Sequence, residues 1–302
     1  GGTARTLDRV DGAIPLSDGV MSRSGVAVLD DKSSCLLLSD GTITERPKTQ
    51  MDSYFFAYGC DYRACLRDFF RLTGRVPLVP RFCLGNWWSR YKAYSQAEYQ
   101  ALMQQFLDRE IPITVATIDM DWHWVDVVER FGADAKKRAD DQRRSIMALF
   151  QGNGWTGYSW NTELFPNHQA LLDWLNGHGF AVTLNLHPAQ GVRFFEDRYD
   201  EMARAMGVDP ATRQPIKFDI ANPTFIQAYF DLLHRPMERE GVRFWWIDWQ
   251  QERTTTVRGL DPLWALNHYH TLAFSGSGKR PLILSRYAGP GSHRYPLGFS
   301  GD

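Results

Sequence analysis

Four consecutive large apolar residues, Phe244-Trp245-Trp246-Ile247, end on a carboxylate at Asp248. A strand covered on both faces reads as a continuous apolar run, and in barrels built of such strands the C-terminal tips carry the chemistry. The stretch therefore predicts a buried parallel strand with an acid at its tip. Taken alone, Asp248 is open to two readings: a catalytic acid, or a structural one that caps the next helix or pairs with a nearby Arg.

The chain changes character near residue 80. Before it, Gly25–Asp31, Cys35–Gly41 and Tyr54–Tyr58 read as short strands between turn residues, and Asp61–Thr73 reads as a helix with a stripe of Cys65, Leu66, Phe69, Phe70 and Leu72, stopped by Gly74. After it, strands alternate with helices. Strands are predicted at Cys83–Trp88, Ile113–Asp119, Ala181–His187, a segment ending at Asp248, Pro281–Arg286 and a short piece from Gly298. Between them, Ser95 caps a helix with Ala97, Leu102, Phe106 and Leu107 roughly on one face, Leu171, Leu172 and Leu175 mark a second, and Thr224–Glu240 a third. Repeated βα units imply a parallel sheet, either a (β/α)8 barrel or a doubly wound sheet. No Gly-x-Gly-x-x-Gly follows a strand and no Walker-type lysine loop is present, which favours the barrel.

With 34 Lys+Arg against 35 Asp+Glu, no global charge favours nucleic acid or an anionic membrane, and no apolar run approaches the ~20 residues of a membrane span. The cysteines at 35, 60, 65 and 83 lack metal-ligand spacing and are expected as buried thiols. The segment from Val127 to Gly154 mixes Lys136, Lys137, Arg138, Arg143 and Arg144 with Asp140 and Asp141, the pattern of a solvated face on an insertion around 127–158.

The strand tips supply the candidate chemistry. Asp119 and Asp121 end one strand, His187 another, Asp248 the next, Arg286 the one after, and Asp302 closes the last segment, with Trp87, Trp88, Trp122, Trp124, Trp160, Trp246 and Trp249 around them. Carboxylates among aromatic planes suit a sugar, whose hydroxyls donate to Asp while its apolar face packs on Trp. About half of these tryptophans are expected in ordinary core packing.

These residues resemble the retaining α-glycosidases of glycoside hydrolase family 31. Trp246-Ile247-Asp248 with the aromatic after it resembles that family's nucleophile signature. The stretch Ser285-Arg286-Tyr287-Ala288-Gly289-Pro290-Gly291-Ser292-His293-Arg294-Tyr295-Pro296, continuing to Ser300-Gly301-Asp302, resembles the signature that closes on the acid/base. Thr117-Ile118-Asp119-Met120-Asp121-Trp122 resembles the strand-two segment whose first Asp binds sugar hydroxyls. Trp160-Asn161-Thr162-Glu163-Leu164-Phe165-Pro166-Asn167 resembles its Trp and Phe-Pro segment, with Asn167-His168 where Asp-Pro is usual, and Gln251 stands where the family often has Glu.

The resemblance implies an α/β chain forming an incomplete (β/α)8 TIM barrel, about six of eight βα units over 79–302, preceded over 1–78 by the end of an N-terminal β-sandwich domain and a linker helix. It implies double displacement, with Asp248 as nucleophile and Asp302 as acid/base about 5 to 5.5 Å away. Asp119, with Asp121 ranked below it, Arg286, Trp246, Trp249, Trp160 and His187 are then the sugar-binding candidates. An α-glucosidase-like hydrolase is expected, with α-xylosidase, transglycosylase or lyase outcomes on the same scaffold as alternatives and a non-catalytic carbohydrate-binding relative as a further one. The expected partner is an α-glucoside or oligosaccharide; no metal or organic cofactor is required by this mechanism. The opening Gly1-Gly2-Thr3 lacks an initiator Met and Asp302 is the last residue, so a longer enzyme is expected, with a further C-terminal part of the same polypeptide and an inactive or poorly folded isolated fragment.

Overall fold

The computed structural model describes residues 11, 18–137, 154–248, 251, 254–275, 278–286 and 291–299. The chain divides into two compact units, one of Pro80–Gln251 and one of Gly1–Val79 with Glu252–Asp302.

In the latter unit, strand β1 (Val26–Asp30) pairs antiparallel with β4 (Ser53–Ala57), and β2 (Leu36–Leu37) with β3 (Ile43–Thr44). Period-2 alternation puts Phe56 on the inner side of the first ribbon, against Cys65 and Phe69 of the helix Tyr62–Thr73. Asp61 caps that helix by accepting from the Ala64 N–H at 2.9 Å. Its buried stripe is narrower than the sequence pattern suggests, because Leu72 is 46% exposed. The expectation of four buried thiols is corrected too: Cys65 and Cys83 are buried, Cys35 is half-buried and Cys60 is exposed.

The unit Pro80–Gln251 is built on four parallel strands, β5 (Asn86–Trp88), β6 (Ile113–Ile118), β7 (Ala181–Leu186) and β8 (Val242–Ile247), adjacent in that order. The first starts later than Cys83, since Arg81–Leu84 forms a 3-10 turn. Gly85 ends the turn where a Cβ would lie 2.4 Å from the Thr114 side chain, whose hydroxyl donates to the Phe82 carbonyl at 2.7 Å. β7 is buried along its whole length, as a strand covered on both faces must be.

Helices cover one side of this sheet. Gln96–Asp108 begins in a capping box, Ser95 accepting from the Glu98 N–H and Glu98 accepting from the Ser95 N–H. Its buried face centres on Tyr99 and Met103, and Ala97 is exposed. His168–Gly177 buries Leu171, Leu172 and Leu175. Asn167, standing where the family pattern has Asp, caps this helix by accepting from the Ala170 N–H at 3.1 Å. The segment 223–240 is helical throughout but passes through a π turn at Tyr229–His234, one residue pair before Pro236, which has no N–H for a regular ladder.

On the other side of the sheet, Trp87 of β5 and Phe244 of β8 meet edge to face with ring centroids 5.3 Å apart. A flat sheet would set these strands ~14 Å apart at about 4.8 Å per step. Convergence of rings three strands apart requires the sheet to curl around them, as the wall of a barrel does.

In chain order there follow the helix Pro262–Ser275 and the strands β9 (Ile283–Arg286) and β10 (Gly298–Phe299), which pair in parallel. Of the insertion expected around 127–158, Val127–Phe131 is a helix and Ala133–Lys136 a 3-10 turn, while Arg138, Asp140, Asp141, Arg143 and Arg144 lie outside the described residues.

Candidate active site

Register places the candidate residues on the concave side. Thr117 pairs with Thr183 and Thr183 with Phe244, and one step further along Asn185 pairs with Trp246. Side chains two apart share a face, so Asp119, His187 and Asp248 continue these rows at the strand tips. The Asp248 N–H donates to the Leu186 carbonyl at 3.0 Å, carrying the β7–β8 ladder one residue past β8.

Asp248 is 4% exposed. Its Oδ2 accepts from Asn185 Nδ2 at 3.2 Å and lies 3.4 Å from His187 Nε2. A buried carboxylate must have donors, and Asn185 of β7 supplies one, with His187, the residue after β7, close beside the same oxygen. His187 is itself buried, with the Trp155 ring perpendicular to its imidazole at 5.3 Å.

Asp119 is half-buried, and its Oδ1 accepts from the Met120 N–H at 2.7 Å. Burial pushes its carboxyl upward, the Met120 N–H opposes this, and the Asp248 charge adds to the rise. Asp121 does not continue the strand: β6 ends at Ile118, and Met120–Trp122 forms a 3-10 turn that leaves Asp121 8% exposed, with burial again raising its carboxyl. Tyr91, 66% exposed on the loop after β5, feels the charges of both acids.

The tryptophans divide. Trp246 is half-buried on the concave side. Trp160 turns into the core, 4% exposed, with the His168 imidazole stacked on it at 4.8 Å. Trp122 is fully buried and donates from Nε1 to the Asn185 carbonyl at 2.8 Å, so it braces β7 from behind the site. Gln251 is 1% exposed. Arg286, in the other unit, is buried on β9 with its guanidinium 5.4 Å from the Phe299 ring centre. Trp249 and Asp302 lie outside the described residues. Among the described residues no group of three His, Cys, Asp or Glu side chains is arranged to hold a metal ion, and no helix is long and apolar enough to cross a membrane.

Asn185 is the contact that the reading of tips passed over. Its signal is present in Ala181-Val182-Thr183-Leu184-Asn185-Leu186-His187, where every second residue from Thr183 is polar inside an otherwise apolar strand.

The family model described as the glycosyl hydrolases family 31 TIM-barrel domain matches residues 76–302. The chain belongs to glycosyl hydrolase family 31. An alpha-xylosidase of Saccharolobus solfataricus is 22% identical over 274 residues, 82% of this chain and 32% of that protein. Alpha-glucosidase 2 of Bacillus thermoamyloliquefaciens is 35% identical over 72 residues, 24% of this chain and 9% of that protein. Among solved structures, a xylosidase from Aspergillus niger superposes with a TM-score of 0.61 at 19% identity, covering 91% of this chain and 42% of that one. At that identity the superposition is a likeness of fold. The chain spans about a third of the length of the Saccharolobus relative, so the family 31 barrel seen here is one part of proteins of that size.

Proposed function

We propose that this chain carries the nucleophile of a retaining α-glycosidase, with Asp248 in that role. The observation that supports it most is the position of Asp248, a buried carboxylate at the tip of a parallel strand, with Asn185 donating to it, His187 beside it, and a second acid, Asp119, at the tip of another strand. In the first step a carboxylate oxygen of Asp248 bonds to the anomeric carbon as the exocyclic C–O bond breaks, and Asp302 gives its proton to the departing oxygen. In the second, water attacks the same carbon, its proton passes to Asp302, and Asp248 leaves as carboxylate. Asp119 accepts hydroxyls of the bound sugar, with Asp121, Arg286, Trp246, Trp249 and His187 as further candidates for the pocket, while Trp160, turned into the core under His168, is set aside. The ribbons β1–β4 and β2–β3 are read as the end of a preceding β-sandwich.

The sugar is an α-glucoside or an α-xyloside. Both readings have support: an alpha-xylosidase aligns with 82% of the chain at 22% identity, and an alpha-glucosidase with 24% of the chain at 35% identity. Parallel assays on 4-nitrophenyl α-glucoside and α-xyloside, with the product anomer followed by NMR, test the proposal. Release of the α-anomer first is expected; release of the β-anomer first contradicts a retaining mechanism. Asp248→Ala is expected to abolish turnover while sugar binding persists, and unchanged turnover would remove the nucleophile assignment.

A further inference from the structure

His187 Nε2 lies 3.4 Å from Asp248 Oδ2, and His187 sits where the β7 ladder has ended. It precedes the 3-10 turn Pro188–Gln190 and makes no side-chain cap to it. What fixes this exit is Thr156, from a different segment. Its Oγ1 donates to the His187 carbonyl and accepts from the Gln190 N–H at 3.2 Å, so one hydroxyl clasps both ends of the turn. Thr156 is in turn anchored: its carbonyl accepts from Arg193 Nη2, while Arg193 Nη1 donates to the Ala135 carbonyl at 3.3 Å and the guanidinium lies 4.9 Å from the Phe195 ring centre. Thr156 and Arg193 are 0% and 2% exposed, so neither reaches solvent or a sugar.

The segment holding Thr156 packs closely against its neighbours at the glycines on either side. At Gly154, φ is +75° and a Cβ would lie 2.0 Å from the Val125 carbonyl oxygen; at Gly157 a Cβ would lie 2.3 Å from His123 Nδ1. Backbone packed this closely on both sides of Thr156 makes the hydroxyl a fixed reference point. We infer that Thr156, anchored by Arg193, is a positioning residue for the Asp248 carboxylate, acting through the His187 backbone to set the imidazole beside Oδ2. This rests on the reading of Asp248 as nucleophile. An imidazole displaced by a fraction of an ångström stabilises the carboxylate less, which slows glycosylation and raises the pH at which Asp248 becomes ionised.

The test compares Thr156→Val, Thr156→Cys and Thr156→Ser in the polypeptide that carries this chain, using the 4-nitrophenyl α-glycoside it turns over. Val removes the hydroxyl, Cys weakens the donor, and Ser retains it. Expected are a fall in kcat/KM of about 10- to 100-fold for Val, an acid limb of the pH profile moved to higher pH, an intermediate effect for Cys, and restoration of both readouts by Ser. Should Val fail to fold, the contrast between Cys and Ser carries the same comparison. Wild-type kcat/KM and an unmoved acid limb in Val and Cys, in a protein that Asp248→Ala inactivates, overturn the positioning role and leave the nucleophile intact. If Asp248→Ala instead stays active, the ring resonances of 15N-labelled histidine, with His187 assigned by His187→Gln, decide the structural part. Displaced His187 resonances in Thr156→Val uphold the clasp, and unmoved ones overturn it.

Discussion

Asn185 is the residue whose replacement reads the Asp248 environment most directly, because its amide donates to the same oxygen that His187 approaches. A hydrogen bond to a charged group contributes about 1.5 to 3 kcal/mol, so Asn185→Ala is expected to lower kcat/KM by roughly 10- to 100-fold. Retention of wild-type kcat/KM in a steady-state assay would show that the amide is dispensable. Strand-tip acids were legible in the sequence because an apolar run that stops at an Asp marks where a buried strand ends. Asn185 was less so, since a polar residue inside a buried strand becomes visible only when alternate positions are read as one face. Thr156 could not be found that way: its role depends on a hydroxyl meeting a carbonyl 31 positions along the chain, which no local pattern encodes. Asp121 followed the strand periodicity on paper and leaves it in the fold, because the Met120–Trp122 turn takes over the backbone.

At the scale of elements, the connections matter as much as the strands. The segment from Gly154 to Asn161 runs beneath the β7 exit, and its isolated bridge from Trp160 to His123 ties it to the loop after β6. Gly154→Ala puts a methyl group against the Val125 carbonyl in a backbone conformation that side chains avoid. It is expected to cost at least about 2 kcal/mol in urea unfolding and to reduce turnover; a variant with wild-type stability would contradict the tight packing described. Strands β6, β7 and β8 were readable from their runs of β-branched and aromatic residues, and the helix at 168–177 from its leucines and cap. The start of β5 was not, because Arg81-Phe82-Cys83-Leu84 is as apolar as a strand, and only the Thr114 side chain in the space beside Gly85 selects a turn there. The π turn before Pro236 was equally hidden, since the surrounding helix keeps the same apolar spacing on either side of it.

For the unit Pro80–Gln251 as a whole, buried titratable groups set how folding responds to pH. Burial pushes Glu196 from 4.5 to about 7, against the opposing Ser159 hydroxyl, Arg193 guanidinium and Tyr158 N–H. The folded state then binds more protons than the unfolded one between these values, so this stabilisation, complete below about 4.5, is lost as pH rises through about 7. His123 and His234, both held down at about 3 by burial, act in the opposite sense: their contribution is present above about 6.5 and is lost as pH falls. Glu196→Gln removes the first effect alone. Its stability relative to the native chain is expected to improve between about pH 4.5 and pH 7 and to level off above that, by on the order of 3 kcal/mol in all, as thermal unfolding at each pH would show; a difference independent of pH would mean that Glu196 ionises normally.

The curled parallel sheet and the match to the family 31 barrel over residues 76–302 make Asp248 the centre of the functional account. Its most direct test is covalent. A slowly released 5-fluoro glycosyl fluoride of the α-xylo or α-gluco series should leave its sugar on the peptide containing Asp248, located by mass spectrometry after digestion. A label on Asp248 that Asp248→Ala abolishes is the predicted result; a label on Asp119, Asp121 or any other residue, with Asp248 unmodified, would contradict it.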